Sequence, residues 1–299
     1  MTRYLVKKFI ITFLTITILS SLLVSNANKW VFAHTFSGDE SATFLALLEM
    51  IKTEAHLAQQ NLTTNVTLAQ EHADATTEHL DASKTKEIAE RNERVANELN
   101  DSLTALKDAF NSTSAPNASD IKSKVDQLDA ILGEVLSVRI DKNQLNNVTV
   151  KALTVNDLVG ETLEHYGEAV GHEESSKNSE SNSTANASNS TSMGSSNRGT
   201  SSSNMSQSGN ATDSTVRIDE APYQTAQALS TRIIELYNEI RSNALNSTAA
   251  NNVQTGLESL KSDVVKKVPF DTLDRLIDST IAPSLNSAFD LKLQMEEEG

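Results

Sequence analysis

Apolar side chains recur every three or four residues along most of the chain, the spacing that places them on one face of an α-helix. Phe44, Leu47, Leu48, Ile51, Ala55 and Ala58 predict a first helix from about Asp39 to Gln60, with Ser37 and Glu40 spaced as a capping box. Ala69, Ala73, Thr76 and Leu80 form a narrower stripe over about Val66 to Leu80. Ile88, Val95, Leu99, Leu103, Leu106 and Phe110 mark a third helix over about Thr85 to Phe110, with charges on its other faces. Ile121, Val125, Leu128, Leu132 and Val135 predict a fourth over about Asp120 to Val138. Val155, Val159, Leu163, Tyr166 and Val170 predict a fifth over about Val150 to Val170.

The pattern resumes near Pro222, which suits the start of a helix reaching about Arg241 through Ala226, Leu229, Ile233, Leu236 and Ile240. Another helix follows over about Asn251 to Lys267, through Val253, Leu257, Leu260 and Val264. A last helix begins near Asp271 with Leu273, Leu276, Ile277 and Ile281, and Pro283 is expected to kink or split it before Leu285, Phe289 and Leu293. These elements predict an all-α fold of antiparallel helical bundles, since short connections favour antiparallel neighbours.

Two stretches break the periodicity. Residues 1–33 open with Arg3, Lys7 and Lys8, followed by the uncharged run Phe9 to Val24. This is the layout of a signal peptide, or of a signal anchor if it is retained. Val31-Phe32-Ala33 suits cleavage after Ala33, and Ser25-Asn26-Ala27 offers a second position. Residues 171–216 are dominated by Ser and Asn and contain almost no large apolar side chain, so this stretch is expected to be a disordered linker. The chain therefore divides into the N-terminal segment, a bundle over 34–170, the linker, and a bundle over 217–299.

Composition sharpens the compartment. The sequons lie at Asn61, Asn65, Asn100, Asn111, Asn117, Asn147, Asn182, Asn186, Asn189, Asn204, Asn210 and Asn246. Together with an export segment they predict N-glycosylation outside the cytoplasm, although a chain rich in Asn and Ser also makes such triplets by chance. The formal net charge is −15, which argues against a nucleic-acid partner. There is no cysteine, so disulfides, thiolate metal sites and a Cys nucleophile are excluded.

Candidate chemistry is sparse. His72 and His79 lie two helical turns apart on one stripe, about 10 Å, too far to share an ion unless another helix helps. His56 belongs to the preceding, antiparallel helix. A copper or zinc site between these helices is one reading, because imidazole suits both metals; a solvated helix rim is the other. Cleavage after Ala33 would make His34 the mature N-terminus, where amine and imidazole could chelate copper. Glu161, Glu164 and Glu168 recur beside His165, but the Glu-x-x-His spacing of di-iron bundles is missed. There is neither a G-x-S-x-G motif nor a phosphate-binding glycine loop, so no enzyme is expected.

The stretch HTFSGDESATFLALLEMIKTEAHLAQQNL, with LAQEHADATTEHL and TKEIAERNERVANEL after it, resembles a group of uncharacterised exported helical proteins of ammonia-oxidising archaea. APYQTAQALSTRIIELYNEI and IAPSLNSAFDLKL fit the same likeness, which covers most of the chain outside the linker. The resemblance implies a secreted or surface-attached location and carries no activity and no functional residues. The first expectation is therefore a glycosylated, non-enzymatic surface or interaction protein with an unknown protein or cell-surface partner, touching the membrane only through an uncleaved N-terminal segment. The alternative is an extracytoplasmic copper- or zinc-binding bundle.

Overall fold

The computed structural model describes residues 40–111, 116–172 and 218–291, and no strand occurs among them. The expected signal segment, residues 173–216 of the expected linker, Ser37 and His34 lie outside the described residues, whereas Gly171 and His172, placed in that linker, close the end of a helix. The fold is all-α. Helices α1 (Glu40–Asn61), α2 (Val66–Glu78), α3 (Ala82–Asn111), α4 (Ala118–Arg139), α5 (Lys142–Leu145) and α6 (Val148–Val170) precede the undescribed 173–217. Helices α7 (Glu220–Ile240), α8 (Ser247–Lys266), α9 (Phe270–Leu276) and α10 (Ala282–Phe289) follow it.

Asparagines start several of these helices. The side-chain oxygens of Asn65, Asn117, Asn147 and Asn246 each accept from backbone N–H groups of the first turn of α2, α4, α6 and α8. This satisfies donors that a helix start leaves without partners. The other end of α6 closes on Gly171 at φ 68°, where Gly171 N–H donates to Glu168 and His172 N–H to Gly167.

Two elements depart from the sequence expectation. Helix α3 starts earlier and bends at Asn92, whose extended backbone (φ −158°, ψ 98°) interrupts it and whose side chain accepts from Val95 N–H at 3.3 Å. The last helix is interrupted just before Pro283, where a kink or split was expected, and the interruption takes the form of a widened turn. The chain widens into a π-helical turn over Ile277–Ile281, closed by Ala282 N–H donating to Ile277, and then continues as α10. Gly256 of α8 faces this turn, and a Cβ there would stand 2.8 Å from Ile281 Cγ1.

Helix α1 packs against α2, α4, α6 and α7, and α6 makes its broadest contact with α7. Thr154 of α6 donates to the Ala42 carbonyl at 3.3 Å and Thr43 donates to Asp157 at 3.0 Å, so α1 and α6 run side by side in the same direction. Helix α6 was expected to bury one stripe. Instead Val150, Ala152, Leu153, Thr154, Val155, Asn156, Leu158 and Val159 are all buried, because α1 covers one side and α7 another. Only a narrow polar face remains, with Thr149, Gly160, Glu164 and Glu168 exposed.

The two helical modules merge their apolar faces in one cluster that runs from Ala42 to Leu291. Polar contacts fix their register. Arg232 holds Glu49 through two bonds of 2.8 and 3.0 Å, Asp219 N–H donates to the Ala169 carbonyl at 2.8 Å, and the Tyr166 hydroxyl donates to the Val268 carbonyl. His172 stacks on Phe270 at 3.9 Å between ring centres.

Candidate metal centre

The turn between α1 and α2 is set by Asn61, whose carbonyl accepts from Thr64 and Asn65 N–H groups. It folds α2 back along α1 and brings His72 against Glu54. His72 Nδ1 lies 2.7 Å from Glu54 Oε2, with both side chains at most 2% exposed. The other carboxylate oxygen accepts from Thr225 Oγ1 of α7 at 2.7 Å. His72 Nε2 lies 3.3 Å from Gln224 Oε1, which also accepts from Asn61 Nδ2 at 2.6 Å. A carboxylate withdrawn from water at this depth is tolerated only with such partners.

His79 ends α2, and His165 comes across from α6. Their rings meet edge to face, 6.3 Å between centres. One ligand atom from each of Glu54, His79 and His165 lies within 4.8 Å of the other two. His79 Nε2 is buried with no hydrogen-bond partner, and His165 Nδ1 has only a 3.4 Å contact to Glu168. Two imidazoles and one carboxylate are a zinc or copper donor set, and three protein ligands leave a position for water. Zinc–ligand bonds of about 2.1 Å in a tetrahedron hold ligand atoms about 3.4 Å apart, so the three groups need to close by an ångström or so.

The electrostatics follow from burial. Desolvation pushes His79 below the ordinary imidazole value, with His165 adding to the effect and Glu54 opposing it. Burial also pulls His165 down, but Glu168, Glu54 and Glu161 outweigh it and the net shift is upward. Glu161, one turn before His165, is pushed up to about 7 by burial and by Glu164. Contact with His165 lowers Glu168. Further along α6, burial pushes Asp157 up to about 6 against the hydrogen bond from Thr43.

Of the described histidines singled out from sequence, His72 and His79 both reach Glu54, and His56 turns elsewhere. His56 faces α4, where Nε2 lies 3.0 Å from Asp129, and its side chain is 41% exposed. His72 grips Glu54, and His79 alone of the expected set belongs to the three-residue group. Glu54 and His165, the other two members of the group, were not among the metal candidates expected from sequence. A signal for Glu54 existed, since it is a charge set among Ile51, Ala55 and Ala58 on the inward stripe. His165 was discounted on motif spacing. Its relevance comes from packing, which carries it from α6 to the end of α2.

Among the expected glycosylation positions, Asn65, Asn100, Asn111, Asn117, Asn147 and Asn246 are exposed. Asn61 is not: it is 8% exposed, and its amide nitrogen, the atom a glycan would occupy, donates to Leu57 and Gln224. The folded chain leaves no room for a glycan there. Asn182, Asn186, Asn189, Asn204 and Asn210 lie outside the described residues. No described helix is long and apolar enough to cross a membrane.

No protein-family model, curated protein or solved structure matches this chain.

Proposed function

We propose that this is an exported, non-enzymatic helical-bundle protein that binds one zinc or copper ion through Glu54, His79 and His165. The observation that supports the reading is the convergence of two half-buried imidazoles and a buried carboxylate from three helices within 4.8 Å. The basic and then apolar N-terminal segment supports an extracytoplasmic location. The exposed sequons named above favour a second role at the cell surface, as a glycosylated protein with a protein partner.

Native protein would be examined by intact mass, under denaturing and non-denaturing conditions, and titrated with Zn(II) and Cu(II). One ion per chain is expected, with affinity at least 100-fold weaker in a His79→Ala, His165→Ala double variant. Millimolar affinity in the wild type, or binding indifferent to both substitutions, refutes the metal reading. A mass that retains residues 1–33 and carries no glycan refutes the processed, glycosylated form.

A further inference from the structure

Glu54 connects two halves of the buried polar cluster. It is one of the three convergent groups, yet both of its oxygens are already held, Oε2 by His72 and Oε1 by Thr225, each at 2.7 Å. Glu54, His79 and His165 come from α1, α2 and α6, all before residue 173. Thr225 comes from α7, on the other side of the undescribed segment. Its neighbour Gln224 braces the second grip as well, since its Oε1 lies 3.3 Å from His72 Nε2 and accepts from Asn61.

Resting on the metal-binding reading above, we propose that Thr225 is a positioning residue for the ion, and that metal affinity depends on α7 being seated against α1 and α2. A carboxylate ligand can rotate about its last torsion. A hydroxyl fixed on one oxygen restricts that rotation and keeps the group aimed at His79 and His165. Loss of such an outer partner typically weakens metal binding 10–100-fold. Without the Thr225 hydroxyl, Glu54 also keeps a buried oxygen with one partner fewer, which favours a turned carboxylate. The coupling is reciprocal: an ion that binds better when α7 is seated must favour the seated state to the same degree.

The test uses the full chain and Zn(II), with Co(II) as a spectroscopic substitute. Thr225→Val keeps the shape and removes the hydroxyl; Thr225→Ser restores it. Zn(II) affinity would be measured by competition with a chromogenic chelator, and the visible Co(II) bands would report the ligand arrangement. Thr225→Val is expected to bind about 10–100-fold more weakly, with altered Co(II) bands and an unchanged helical circular-dichroism signal. Thr225→Ser is expected to return both to wild type. If Thr225→Val does not hold its helical signal, Thr225→Ala makes the same comparison. Wild-type affinity and bands in the hydroxyl-free variant overturn the positioning role and leave the metal reading standing. Failure of wild-type protein to bind Zn(II) overturns both.

Discussion

Replacing Asp157 with asparagine tests the electrostatics of α6 directly. Burial raises the Asp157 carboxyl from 3.8 to about 6, because the charged form loses more hydration than Thr43 returns. The folded chain therefore holds this proton more tightly than the unfolded chain. The associated stability is fully present below about pH 4 and is lost as pH rises through about 6. Two units correspond to about 3 kcal/mol for a group wholly withdrawn from water; Asp157 keeps part of its surface wet, which brings the figure to about 1–2 kcal/mol. The substituted amide would carry no charge at any pH, and its carbonyl could still accept from Thr43. Relief of Glu161, which the Asp157 charge pushes further up, acts in the same direction. Urea unfolding of both proteins, followed by helical circular dichroism from about pH 4 to pH 8, isolates the difference, since the other carboxylates titrate in both. Asp157→Asn should be more stable by about 1–2 kcal/mol above pH 7, with the advantage vanishing near pH 4. A variant less stable than wild type above pH 7, or a gap that does not change with pH, refutes the reasoning.

Two further outcomes are expected. Gly256→Ala should cost about 1–3 kcal/mol in urea unfolding, because the added methyl meets Ile281 Cγ1 at 2.8 Å against a well-packed π turn. His56→Ala should change stability by less than about 1 kcal/mol and leave Zn(II) affinity as it was, since its pair with Asp129 is only half-buried and His56 is not one of the three convergent groups.

The helices were legible because their stripes obey a local rule. Ile121, Val125, Leu128, Leu132 and Val135 were expected inward and are all buried. What escaped was set by neighbours. Leu163 and Val170 are only partly buried, while Ala152 and Leu158, off the expected stripe, are enclosed by α1 and α7. Pro283 marked where the last helix would be disturbed, but not that the disturbance would be a π turn packed on Gly256. The candidate centre was half legible for the same reason. His72 and His79 stood out as a pair along one helix, but their partners, Glu54 and His165, are defined by contacts between helices distant in sequence.

The asparagine caps complicate the usual way of mapping glycans. At Asn65, Asn117, Asn147 and Asn246 the side-chain oxygen starts a helix, while the nitrogen is the atom a sugar would occupy, so one residue can serve both purposes. Replacing any of these asparagines removes the sequon and also a cap worth about 1 kcal/mol. A loss of secretion or yield in such a mutant would mix two causes. Changing the hydroxyl residue two positions on, at Thr67, Ser119, Thr149 or Thr248, abolishes the sequon while leaving the cap in place, and separates carbohydrate from helix initiation.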